Sequence, residues 1–216
     1  DVTSGVLIES VYGINSNKEA TVTYAAFDAA GNVTKAQRQI RYQDYHAPRF
    51  VLRDSLSYPY GSKFQLLENV GAVDVLEGDI GRRIHATLIS DTKSIDNQGI
   101  HQVNLQVANS LGDTVQLVVP VEVYDPEWYN AEVILSEYLV YLEKGSRFDS
   151  RAYLRSFVVR GEPVSVHSEI PEDISVDINS KVRMNEPGVY EVSYVLSQTV
   201  GMNTYTGMAK LIVVVE

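Results

Sequence analysis

Two five-residue stretches constrain this chain more than any other feature. Asp28-Ala29-Ala30-Gly31-Asn32 and Asn109-Ser110-Leu111-Gly112-Asp113 each set a carboxylate or amide three residues before a glycine. An Asp or Asn side chain can accept hydrogen bonds from backbone amides a few residues ahead, and glycine takes a positive φ without a Cβ penalty, so each stretch is suited to reversing the chain. Before the first, Ala20, Val22, Tyr24 and Ala26 alternate with Thr21, Thr23 and Ala25; after it the chain runs extended from Val33 through Ile40 and Tyr42. Alternation with period two is the pattern of a strand that buries one face, which predicts that the segment is a β-hairpin.

The hairpin recurs. From Asp28 to Asn109 is a step of 81, which also carries Tyr24 to Leu105, Val22 to Val103, Ile40 to Val121 and Asp44 to Asp125. A further step of 89 brings Asn109 and Gly112 to Gln198 and Gly201, and Gly99, Val103 and Leu105 to Gly188, Val192 and Tyr194. Upstream, Gly61-Ser62-Lys63-Phe64 returns as Gly145-Ser146-Arg147-Phe148, behind the apolar runs Phe50-Val51-Leu52 and Val133-Ile134-Leu135. Short strands between Gly, Pro, Asn and Asp turns, with no sustained helical period, predict an all-β chain of tandem β-sandwiches. The expected domains are 1–44, the C-terminal half of a sandwich, then 45–125 and 126–216 as complete ones. The strands missing from the first are expected before Asp1, because Asp1-Val2-Thr3 is similar to Asp79-Ile80-Gly81 in the middle of the second copy. Between copies, Gln43-Asp44-Tyr45-His46-Ala47-Pro48 and Asp125-Pro126-Glu127-Trp128-Tyr129 are short, proline-bearing and aromatic, which predicts an extended, semi-rigid rod.

Composition excludes several function classes. A net charge of −10 disfavours nucleic acid, whose affinity comes from clustered Lys and Arg, and the adjacent pair Arg82-Arg83 reads as a surface turn. With no cysteine there is neither a disulfide nor a thiolate. The longest apolar runs, such as Leu211-Ile212-Val213-Val214-Val215, are far shorter than the roughly 20 residues a spanning helix needs. His46, His85, His101 and His167 are scattered without metal-binding spacing, and no nucleophile elbow or phosphate loop is present, so no catalytic function is expected.

Ala20-Thr21-Val22-Thr23-Tyr24 followed by Phe27-Asp28-Ala29-Ala30-Gly31-Asn32 resembles the closing hairpin of bacterial immunoglobulin-like surface repeats, and Glu77-Gly78-Asp79-Ile80 with Gly99 is similar to further landmarks of those domains. The resemblance spans essentially the whole chain; the third copy departs from it at Gln198 and between Ala152 and Val182. It implies tandem immunoglobulin-like sandwiches in a non-enzymatic stalk or adhesion module, extracellular or on a bacterial cell surface, with a protein or glycan partner and no cofactor. The alternative is a carbohydrate-binding or spacer module of a secreted polysaccharide-degrading enzyme. A third possibility is a subunit that polymerises through unpaired strand edges. The residues offer Tyr58, Tyr60, Trp128 and Tyr129 as aromatic candidates for a binding platform, with Tyr138-Leu139-Val140-Tyr141 a further cluster, against core or junction packing. Asp28 with Asn32, or Asp74, Glu77 and Asp79, could offer oxygens to calcium, but without the spaced ligand run of a calcium loop they read as turn caps, and no metal is expected. Glu169, Glu172, Asp173 and Asp177 read as a solvated face.

Overall fold

A computed structural model of the protein describes residues 5–13, 15, 17–63, 65–89, 95, 97–166 and 172–216; Asp1-Val2-Thr3, Phe64, His167 and Glu169 lie outside them. The first sheet is antiparallel, β1 (Val6–Tyr12), β2 (Glu19–Phe27) and β3 (Val33–Arg41) in that spatial order. Its hairpin pairs Phe27 with Val33 and Ala20 with Ile40 across the Asp28 turn. Burial along β2 departs from the simple alternation. Ala20, Val22, Thr23 and Ala25 are buried while Tyr24 and Ala26 are only half-buried. The reason lies on the other face, where long polar side chains cover the small ones. Lys35 reaches over its neighbour Ala25 to pair with Glu9, and Gln37 donates to Thr23 Oγ1 at 3.5 Å.

The next strands are β4 (Arg49–Leu52), β5 (Ser57–Pro59), β6 (Val70–Asp74), β7 (Gly78–Asp79), β8 (His85–Leu88), β9 (Gly99–Ala108) and β10 (Thr114–Tyr124). They form a three-stranded sheet, β4-β6-β7, and a four-stranded sheet, β5-β10-β9-β8. Among the described residues here, helix is confined to the single turn Leu66–Asn69 and a 3-10 turn at Gly81–Arg83. The remaining strands are β11 (Ala131–Leu135), β12 (Leu139–Leu142), β13 (Leu154–Val159), β14 (Glu162–Ser165), β15 (Ile174–Ser180), β16 (Gly188–Val200) and β17 (Asn203–Val215). Their sheets are β11-β13-β14 and β12-β17-β16-β15, the preceding order shifted by seven strands. In each set the last strand accepts a short parallel neighbour: β5 pairs Tyr58 with Val123 of β10, and β12 pairs Val140 with Val213 of β17. The strands between supply the long crossover that parallel pairing requires. Among the described residues no helix is long and apolar enough to cross a membrane.

The chain divides into two compact units. One comprises Asp1–Arg49, Ala72–Ile84 and Gln106–Gln116; the other comprises Phe50–Gly71, His85–Leu105 and Leu117–Glu216. In the second unit Val192, Tyr194 and Leu196 of β16 alternate inward beside Leu211, Val213 and Val215 of β17, and Val133, Leu135, Phe157 and Val159 are buried on β11 and β13. Each such side chain contributes about 1.5–3 kcal/mol by leaving water. Gly207 lets β17 approach β11 closely, since a Cβ there would lie 2.6 Å from the Ala131 carbonyl oxygen.

Candidate functional site

The two Asx turns share one hydrogen-bond pattern in two environments. Asp28 Oδ1 accepts from the amides of Ala30 (2.9 Å) and Asn32 (2.8 Å), and Gly31 closes the turn at φ 83. Asn109 Oδ1 accepts from Leu111 (3.1 Å) and Asp113 (2.9 Å), with Gly112 at φ 87. Asp28 sits in solvent, where the Asn32 amide group and backbone donors lower its pKa. Asn109 is buried, and its Nδ2 donates to Asp74 Oδ2 at 3.0 Å and to the Tyr45 hydroxyl at 2.8 Å. That hydroxyl donates in turn to Asp113 Oδ2 at 2.7 Å. Burial first, and then the Asp113 carboxylate, push the Tyr45 phenol well above its usual range.

This chemistry bears on calcium. Asp74 is 1% exposed; its Oδ1 accepts from the amides of Leu76 and Glu77, and its Oδ2 is held by Asn109. Asp79 Oδ1 accepts from Gly81 N at 2.8 Å. Glu77 accepts from Arg83 and from the Ser110 amide, each at 2.6 Å, and these donors hold its carboxyl down at about 2. The carboxylates thus act as turn and loop clasps, with oxygens already committed to protein donors. Among the described residues no group of three or more His, Asp or Glu is placed to hold a metal ion. Arg83 is more than half of a surface turn: it ties the 3-10 segment to Glu77.

Gln198, which the repeat alignment sets on Asn109 and where the third copy departs from the pattern, caps no turn. The ladder of β16 and β17 continues past it to Val200 opposite Asn203, so the turn shortens to Gly201-Met202, with Gly201 at φ 63. Gln198 lies within the sheet opposite Tyr205 and donates to Asp173 Oδ2 at 2.6 Å. Asp173 is therefore a sheet partner as well as part of an acidic stretch.

The four aromatic candidates do not form one platform. Tyr58 is 8% exposed, and its hydroxyl accepts from Asn69 Nδ2 at 3.2 Å, which places the ring in the interior. Tyr60 is half exposed and lines a depression of about 520 Å³ beside Lys63 and Val123. Trp128 is 56% exposed and lines neither this depression nor the larger cleft. Tyr129 lines that larger cleft, about 1030 Å³ in volume and built wholly from the second unit.

Segments from β4 through to Met208 of β17 line the cleft, and several bring polar or aromatic side chains. The loop between β4 and β5 brings Asp54, the end of β10 brings Tyr124, β11 and the loop before β12 bring Glu132 and Tyr138, and β13 brings Arg155. Tyr124 and Tyr129 meet edge to face at 4.8 Å, and the Tyr129 hydroxyl points to Met208 Sδ at 3.5 Å. Burial raises the pKa of Tyr124, Tyr129 and Tyr138; the Glu122 carboxylate raises those of Tyr124 and Tyr129 further, and Asp54 and Glu132 add to the rise at Tyr124 and Tyr138. All three phenols therefore stay protonated at neutral pH and can donate hydrogen bonds. The lining includes neither histidine nor lysine. Sequence reasoning pointed to Tyr129 and to the cluster holding Tyr138; the other walls share no local motif.

No family model matches the sequence, and no curated protein matches it. Solved structures that resemble it include Drosophila N-cadherin EC1-4, at 12% identity and a TM-score of 0.27, covering 98% of this chain and 66% of that one. The protocadherin GammaB4 extracellular domain aligns at 10% identity and a TM-score of 0.24 over 93% of this chain and 38% of that one. A SusE-like surface-located polysaccharide-binding protein of Bacteroides thetaiotaomicron aligns at 6% identity and 0.24 over 98% and 55%. The chain thus spans between about 38% and 66% of these longer proteins, and likenesses this weak assign neither a family nor a function.

Proposed function

We propose that this chain is a non-catalytic stretch of a bacterial exported protein, built from successive immunoglobulin-like β-sandwich modules at 45–125 and 126–216 after a partial module at 1–44, and serving as a stalk or adhesion segment. The observation that supports it best is the repeated strand order: two sets of seven strands, each split three and four, each with a parallel partner on its last strand. Shared Asx chemistry at Asp28 and Asn109 extends the correspondence to the first sheet. Proline-bearing junctions favour an extended arrangement, which small-angle scattering tests as an elongated or a compact particle. Location is tested directly on cells of the source organism. Antibodies against residues 45–216 should label intact cells, and labelling only after permeabilisation would refute the reading.

A second reading, association through the first sheet, has its own support. Val6, Leu7 and Ile8 of β1 are 46%, 60% and 62% exposed, an apolar strand edge open to pairing. Concentration-dependent sizing by sedimentation tests it.

A further inference from the structure

We propose that the cleft of the second unit is a saccharide-binding site that takes a neutral oligosaccharide of a few rings; the inference deepens the reading of the chain as a surface binding module and rests on it. At about 1030 Å³ the cleft lies at the upper end of the volumes typical of ligand sites. Its walls combine the two features that sugar rings need. Tyr124 and Tyr129 present fixed, amphipathic ring surface against which the C–H faces of a pyranose can pack, and a ring of this kind loses little conformational entropy on binding. Around them stand groups that match adjacent hydroxyls. The Glu132 carboxylate accepts two hydrogen bonds and the Arg155 guanidinium donates two in parallel, while the buried Tyr138 hydroxyl, which accepts from the Leu135 amide at 3.4 Å, stiffens the wall between them.

Charge narrows the class. The lining sets two carboxylates, Asp54 and Glu132, against two guanidiniums, Arg53 and Arg155, so the cleft carries no net charge and suits a neutral sugar better than a uronate or a sulfated one. Arg155 lies at the β13 wall with no side-chain partner among the described residues, which leaves its donors for a ligand hydroxyl.

Calorimetric or NMR titration of the whole chain with xylohexaose, cellohexaose, maltohexaose and mannohexaose, and with the acidic probe hexagalacturonate, tests the proposal. Saturable binding of at least one neutral hexaose is expected, weakened tenfold or more by Tyr129→Ala and by Glu132→Gln, with the melting temperature of Glu132→Gln unchanged as a check on folding. Trp128→Ala and Tyr60→Ala, outside the cleft, should bind as the parent does. Binding lost in Trp128→Ala or Tyr60→Ala but kept in the cleft variants would overturn the cleft assignment while leaving the surface-module reading intact. Preference for hexagalacturonate, or no saturable binding by any probe at millimolar concentration, would overturn the proposal; the cell-labelling experiment decides the module reading independently.

Discussion

Asn109→Ala and Asp28→Ala remove the same local turn bonds in opposite environments, so comparing them isolates the value of the buried network. At 109 the substitution strips Asp74, itself 1% exposed, of the donor on Oδ2, and removes one of the two partners of the Tyr45 hydroxyl. A buried charged acceptor left without its donor costs about 1.5–3 kcal/mol. The Leu111 and Asp113 amides are partly open to water, which replaces much of what they lose, adding about 0.5 kcal/mol each. The sum is a loss of about 2.5–4 kcal/mol. At 28 the same two amides and the Asn32 side chain face solvent, so water takes over and the loss should be a small fraction of that. Native-state hydrogen exchange by mass spectrometry reads the opening free energy of residues 106–116 and of residues 25–34 in each variant. Equal losses at the two turns would refute the claim that the Tyr45–Asn109–Asp74 network, rather than the turn itself, carries the stability.

Glu77 makes stability depend on acid. Its folded pKa is about 2, below an ordinary value of 4.5, so its contribution is present above about pH 4.5 and fades as pH falls toward 2; urea midpoints measured down that range should drop less steeply in Glu77→Gln. Gly207→Ala forces a Cβ within 2.6 Å of the Ala131 carbonyl and should cost at least about 1–3 kcal/mol, whereas Gly201→Ala meets no atom within 4 Å and carries only its positive-φ strain, about 1 kcal/mol; thermal melts rank the two. Tyr58→Ala empties an interior site and should destabilise by about 3–5 kcal/mol, while Tyr60→Ala, half exposed, should stay within about 0.5 kcal/mol in the same urea series.

Much of this fold is written locally. The turns at Asp28 and Asn109 follow from an acceptor placed three residues before a glycine, and both adopt the positive φ that glycine permits. The strand flanking the first turn was legible in type but not in which side chains are covered, because burial of Thr23 and Ala25 depends on Lys35 and Gln37 from the neighbouring strand. The third hairpin misled for a different reason. Thr199-Val200 and Thr204-Tyr205 favour strand strongly enough to carry the ladder beyond Gln198, and a two-residue turn at Gly201 closes it. Tyr58 reads the same as Tyr60 in sequence, but β5 ends at Pro59, so Tyr58 lies inward within the strand and Tyr60 in the exposed turn beyond it. Of the cleft only the aromatic clusters at Tyr129 and Tyr138 were legible: Asp54, Tyr124, Glu132 and Arg155 join them through tertiary structure, with no spacing that marks them beforehand.

Repetition of one strand order, closed twice by a parallel edge, is the claim on which the functional reading stands. Interstrand NOEs in the isotopically labelled chain measure it most directly. Parallel-type contacts should connect Ser57–Pro59 with Glu122–Tyr124 and Leu139–Leu142 with Ile212–Val215. An antiparallel pattern at either pair, or strong contacts at one and none at the other, would contradict it.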